Sequence, residues 1–495
     1  MDLTRCAASG GLLLAGVSAG KAAASGRASK IERIVGPGEP FMGAARGEME
    51  ALGYVEEEFL LRGRASAYHW AGVDKVGPVA GPTAYCTRIL VRRPADPMRF
   101  SGRVVLEILN ASYGYDVSGV IRGLQPVMTA NGDAFVGVTS KSICVRALKK
   151  ADPIRYASLQ WGRPAGRAVC EGSMFYGAYR RDAPSMISSP ESEDGLFWDM
   201  YTQTGHLLRS KDGGGLLPGM RCSRLYGAGA SQSSYYLNAY IEAFGREGGP
   251  PFDGYLPFLG SRVVKLSQCA GDLPEGDPRL HNRSGPTPVV LVNTQGDVSS
   301  NPIGRRDDSD APNNRFRLYE IPGPAHASGM GPGGAPSPAH LQALGIPDGG
   351  PAASSLPPGM TDNDFPNRLF VAGAYLRLIK WVEQGVPPPS AARLDLDTHG
   401  KLILDEFGNA KGGVRNPYVD VPAFRYRTSI EGSGFAANRG TKEILAADIL
   451  RKLYGAPEAY LAKVAAATDR LIQEGWIPEY GRDVIMADAR SVRFS

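Results

Sequence analysis

The sequence predicts an α/β fold, with a mostly parallel central sheet, an antiparallel N-terminal edge and helices on both faces. Two observations carry this. Short apolar runs alternate with helix-periodic stretches through the middle of the chain, the pattern of strands joined through covering helices. Three of the expected strands, at 224–230, 287–293 and 315–321, end at Ser231, Asp297 and His326 respectively. Parallel sheets collect their chemistry at such carboxyl ends.

The elements follow in order. Residues 25–50 are small and Gly-rich and read as an exposed lead-in. Alternation over 54–68 and 83–93 gives two strands, and the apolar runs 103–109 and 133–139 give two buried ones. The mixed Gly, Pro, Arg and aromatic content of 149–192 reads as an irregular insertion. A helix is expected over 195–208, with Leu196, Phe197, Met200, Tyr201 and Thr204 on one side. Strands follow over 253–260, 287–293 and 315–321, then a long loop over 327–365. A helix over 367–383 stops at Gly385 and Pro387. A second loop-rich region runs to about 440, and helices over 441–453 and 457–474 finish the chain. In the last helix Pro457 suits the first position and Gly475 the stop.

Bulk composition narrows the function. The chain has 495 residues, 43% hydrophobic and 21% charged, so it can bury a large core. Its 63 Gly and 38 Pro follow no repeat, which fits a loop-rich enzyme and not a collagen. A net charge of +5, with no Lys/Arg cluster interleaved with aromatics, argues against nucleic acid as the partner. Arg5, the weakly apolar run from Cys6 to Gly20 and the small residues Ala22 to Ala24 resemble a secretory leader over 1–24, pointing to a secreted or periplasmic protein. Asp2 and Lys21 depart from that pattern, and a structureless tail is the alternative. No other apolar run is long enough to span a bilayer. The cysteines lack a C-x-x-C pair, so no metal is expected; one or two disulfides or buried free thiols are both open. The tract Asp307 to Asp310 reads as a solvated turn, with calcium a remote option.

The stretch around Ser231 carries the chemistry. An apolar run ends in Gly227-Ala-Gly229-Ala-Ser231, turns, and becomes a helix whose Tyr236, Leu237, Tyr240, Ile241 and Phe244 share one face. A serine on such a strand-to-helix turn is held exposed above a sheet, facing the positive end of the new helix. Serine needs a base to take its proton, a neutral histidine is that base near pH 7, and a carboxylate orients the imidazole. Ser231, Asp297 and His326 occur in the chain order Ser, Asp, His of α/β-hydrolases. Each alone is weak: serines are common and loop histidines are usually just solvated. The oxyanion donors are expected to be the N–H of Gln232 and one from Asn110, Ala111 or Ser112, although Asn110 reads equally well as a turn residue. Gly227 and Gly229 also suggest a dinucleotide turn, but Gln232 stands where its third glycine belongs.

Gly229-Ala-Ser-Gln-Ser233 with the following Tyr and Leu, the Leu-Glu-Ile-Leu-Asn110 strand, Glu320-Ile-Pro-Gly-Pro-Ala-His326 and the stretch from Phe407 to Pro422 resemble a poorly characterised α/β-hydrolase-domain family. The resemblance implies one large α/β-hydrolase domain over 25–495, with cap-like insertions about 149–192 and 327–365 and a C-terminal extension about 391–495. It also implies a serine carboxylic-ester hydrolase that takes a small-molecule ester, needs no cofactor and is often exported. Ser234 replaces a family glycine, and Gln295 stands where the family often has Glu, which leaves Asp297 as the acid. An amidase or acyltransferase using the same residues, and a silent binding protein of this fold, are the other readings.

Overall fold

The alternating N-terminal residues form β1 (Lys30–Arg33), β2 (Tyr54–Trp70) and β3 (Val76–Pro94), paired antiparallel, with a short helix α1 (Glu48–Ala51) before β2. The computed structural model describes residues 30–166, 172–176, 187–189, 191–246, 251–283, 285–300, 302–346, 356, 360–430 and 438–494. The leader expected over 1–24 lies outside them, as do parts of both expected insertions.

The apolar runs then build the parallel part of the sheet. β4 (Arg103–Ile108) and β5 (Ala134–Val138) are joined through α2 (Gly119–Asn131). After α3 (Ser142–Ala151) come three two-residue strands, β6 (Gln160–Trp161), β7 (Gly172–Ser173) and β8 (Ile187–Ser188), then α4 (Phe197–Arg209). β9 (Arg224–Ala230), α5 (Gln232–Tyr240), β10 (Gly254–Phe258), β11 (Val289–Thr294) and α6 (Gln295–Ser300) follow. β12 (Ser309–Ala311) and β13 (Asn314–Ile321) close the sheet. Its order is β1-β2-β3-β5-β4-β9-β10-β11-β13-β12, with β5 through β13 parallel. β4 sends the chain one way to β5 and β9 sends it the other way to β10. The reversal opens a crevice at their carboxyl ends, where open α/β sheets bind ligands.

Helices cover both faces because β9 alternates. Tyr226 meets Tyr375 of α8 (Asn367–Gln384), while Gly227 approaches the Tyr201 hydroxyl of α4. α4 and α5 join through Trp198 on Tyr236 and Tyr201 on Tyr240.

Five expectations change. The lead-in expected over 25–50 holds β1 and α1, and its Phe41 and Met42 are fully buried. The 327–365 loop contains α7 (Pro338–Ala343) and β14 (Thr361–Asp362). The acidic tract at 307–310 is not a simple solvated turn: β12 pairs with β13, Asp308 accepts from Leu318 N–H and Arg393, and Asp310 pairs with Arg317. Beyond α9 (Pro417–Asp420), residues 441–444 are a strand, not a helix: β16 (Thr441–Ile444) pairs with β14 and with β15 (Phe424–Arg427). Three helices end the chain, α10 (Ala447–Tyr454), α11 (Pro457–Glu474) and α12 (Gly481–Ser491), the last of them unexpected. Cys86, Cys144 and Cys222 are buried free thiols and Cys269 is disulfide-bonded. Among the described residues no helix is long and apolar enough to cross a membrane, and no group of three or more His, Cys, Asp or Glu could hold a metal ion.

Candidate active site

Ser231 sits between β9 and α5 at φ 56°, ψ −122°, a conformation that non-glycine residues rarely adopt. The turn is tight: a Cβ on Gly229 would lie 2.5 Å from the Ser233 carbonyl oxygen. Ser231 N–H donates to Phe258 O at 2.9 Å, which fixes the turn to β10. Ser234 lies in the first turn of α5. It is fully buried, and its hydroxyl donates to Gly260 O at 2.5 Å, tying α5 to the loop after β10.

Two neighbouring strand ends meet this turn. Ser231 Oγ lies 2.8 Å from His326 Nε2, and His326 Nδ1 lies 2.5 Å from Asp297 Oδ1. Asp297 is in the first turn of α6 and only 7% exposed. Its second oxygen accepts from both the N–H and the hydroxyl of Thr294, each at 2.8 Å. The loop bearing His326 interlocks with this turn. Gly296 N–H donates to Pro324 O at 3.2 Å, and a Cβ on Gly296 would sit 2.7 Å from His326 N. Gln295 is also buried, but its Oε1 accepts from Gly323 N–H at 2.8 Å. The glutamine therefore braces the histidine loop, and Asp297 is the carboxylate that touches the imidazole.

The expected oxyanion donors divide. Asn110 N–H donates to Val117 O at 2.9 Å in an isolated bridge, so it is not available to a substrate. The Asn110 side chain is a strut instead: Nδ2 donates to Ala230 O at 2.8 Å, and Oδ1 accepts from Ser112 N–H at 2.7 Å. That bond also engages Ser112 N–H. Ala111 N–H has no acceptor among the described residues, and Gln232, directly after Ser231, is the first residue of α5. Sequence reading missed the strut because Ala230 lies 120 positions away in the chain.

Behind this corner is a buried carboxyl that sequence reading missed. Glu107 on β4 lies under the start of α2 and accepts from Gly119 N–H at 2.8 Å, Val120 N–H at 3.0 Å and the Ser118 hydroxyl. Burial is the main cause that pushes it up to about 8. A carboxyl raised in the folded state favours the protonated form, so stability is fully present below the unfolded value near 4.5 and is lost as pH rises through about 8. Each unit corresponds to about 1.4 kcal/mol. Glu107→Gln, neutral throughout, is expected to flatten the fall in melting temperature between pH 5 and pH 8. An unchanged slope in thermal melts would contradict this origin.

Ser231 and His326 open into a cleft of about 400 Å³, whose walls include Ser112, Arg122, Met330, Asp362 and Arg439. A serine on a strand-to-helix turn at the switch of a parallel sheet, with a histidine and a carboxylate beside it, fits the α/β-hydrolase arrangement, and the sequence matches the alpha/beta hydrolase domain family over residues 20–487. The chain belongs to that family. No curated protein matches this α/β-hydrolase. Among solved structures, it is similar to a glucuronoyl esterase from Solibacter usitatus at 9% identity and TM-score 0.30, covering 58% of this chain and 84% of that one. It is similar to a putative dienelactone hydrolase from Klebsiella pneumoniae at 11% identity and TM-score 0.28, covering 58% and 95%. An S-formylglutathione hydrolase from Agrobacterium tumefaciens matches at 10% identity and TM-score 0.28, covering 55% and 87%.

Proposed function

We propose that this α/β-hydrolase is a serine esterase that cleaves carboxylic esters through an acyl-enzyme. The observation that carries the reading is the unbroken line from Ser231 Oγ to His326 at 2.8 Å and from His326 to Asp297 at 2.5 Å. Ser231 Oγ attacks the ester carbonyl while His326 Nε2 takes its proton. The N–H groups of Ala111 and Gln232 hold the oxyanion that forms. His326 then gives the proton to the leaving alcohol, and Ser231 keeps the acyl group as an ester. Water, deprotonated by His326, attacks that ester and frees the carboxylic acid and Ser231. Asp297 keeps the Nδ1 proton in place and stabilises the imidazolium at each step. The disulfide at Cys269 supports residence in an oxidising compartment, in line with the leader-like N-terminus.

A fluorophosphonate probe tests this directly. The folded protein should take up one equivalent on Ser231, located by peptide mass spectrometry, and lose hydrolysis of a short p-nitrophenyl ester in step. Full turnover by protein labelled at Ser231, or labelling elsewhere only, would refute it.

A further inference from the structure

Among the described residues lining the cleft around Ser231, Arg122 is a cation without a carboxylate partner. Arg122 lies in the first turn of α2, whose start packs directly behind the nucleophile: a Cβ on Gly119 would fall 2.2 Å from Ala230 Cβ. Three residues of helix advance about 4.5 Å, so Arg122 stands one step further along the cleft wall. Its Nε donates to Gly331 O at 3.3 Å, and no carboxylate among the described residues pairs with its guanidinium. The two aspartates of the cleft are engaged elsewhere. Asp362 pairs with Arg439 at 2.5 Å and Asp364 with Lys442 at 2.6 Å. The negative partner that would otherwise sit at the start of α2 is Glu107, which is fully buried beneath the helix.

A second group on the same β4–α2 segment points the same way. Ser112 is 4% exposed and lines the cleft, yet its hydroxyl has no hydrogen-bond partner. A buried hydroxyl left without a partner costs free energy unless a ligand or an ordered water satisfies it. The strut through Asn110 holds Ser112 against the turn that bears Ser231. An apolar acyl chain would satisfy neither the hydroxyl nor the guanidinium.

We propose that the natural ester carries a carboxylate, bound by the Arg122 guanidinium while Ser231 attacks the ester carbonyl; this rests on the esterase reading above. A guanidinium fork matches the two oxygens of a carboxylate. One unmatched positive charge beside two aspartates suits a singly charged carboxylate group better than a doubly charged phosphate group. The substrate class is thus hemi-esters of dicarboxylic acids, or esters whose alcohol portion bears an acid.

The test compares kcat/KM for pairs of esters that differ in charge. On the acyl side these are mono-p-nitrophenyl glutarate and p-nitrophenyl hexanoate; on the alcohol side, para-acetoxybenzoate and its methyl ester. The wild type should favour the anion of one pair by about ten- to a hundredfold, mainly in KM. In Arg122→Gln that ratio should fall to near one, with Arg122→Lys between the two. Equal rates for both members of both pairs in the wild type would overturn the proposal. So would an unchanged ratio in Arg122→Gln, since general damage to the cleft lowers both rates together. Calorimetry with glutarate and with inorganic phosphate reads the site without turnover. Glutarate binding that is lost in Arg122→Gln supports the proposal even if no ester is cleaved, and that combination would count against the esterase reading alone. Tighter binding of phosphate than of glutarate would overturn it.

Discussion

Ser231→Ala is expected to lower kcat for a short-chain ester by about a millionfold, to a residue of catalysis from the oxyanion donors and binding. KM should change little, because the hydroxyl adds little to ground-state binding. The folded state should survive. Among the described residues the Ser231 hydroxyl is held by His326, and the backbone of the turn is fixed by the Ser231 N–H on Phe258 O, which alanine keeps. A second substitution separates chemistry from stability. At φ 56° any residue with a Cβ bears a cost of order 1 kcal/mol, which glycine avoids. Ser231→Gly should therefore be as inactive as Ser231→Ala yet melt at a higher temperature. Activity and stability would then move in opposite directions at one position, as expected where a turn stores strain to expose a nucleophile. Residual esterase activity within tenfold of wild type in both variants would place the nucleophile elsewhere.

What the sequence revealed was local, and what it hid was not. The turn at Ser231 announces itself because Gly229 is required by a contact only four residues away, with Ser233. The buried strands β4 and β11 carry the apolar runs Val104-Val-Leu106 and Val289-Val-Leu-Val292, the signature of a parallel strand covered on both faces. The errors occur where a distant partner decides. Thr441-Lys-Glu-Ile444 reads as the start of a helix until β15 pairs with it. Asn110 looked like an oxyanion donor because it follows β4, but Val117 takes its N–H and Ala230 takes its side chain. The order β3-β5-β4 was equally hidden, since β4 follows β3 in the chain and the crossover through α2 sets β5 between them. Arg122 resembles any helix-surface arginine until the cleft forms around it. Gln295 is the opposite case. Its chemistry alone excluded it as the acid, and the structure supplies the reason for its burial, the Gly323 N–H.

Asp297→Asn should cost about ten-thousandfold in kcat, and the hydrogen bonds around the carboxylate give the reason. Asp297 accepts on both oxygens, from the His326 ring on Oδ1 and from Thr294 N–H and hydroxyl on Oδ2. An asparagine has one acceptor oxygen and one amide nitrogen that can only donate. Thr294 N–H is a fixed backbone donor and must find an oxygen, so the amide nitrogen turns towards His326 Nδ1. The ring can receive that bond only by moving its proton to Nε2, and a protonated Nε2 cannot take the proton from Ser231 Oγ. The variant should keep its fold and its KM, because every hydrogen bond around position 297 is still made. Adding Gln295→Glu tests whether the neighbouring position can stand in. Gln295 points its Oε1 at Gly323 N–H, away from the imidazole, and a glutamate there keeps that bond with one of its oxygens. The double variant should stay as slow as Asp297→Asn; recovery to within tenfold of wild type would transfer the role of the acid to position 295.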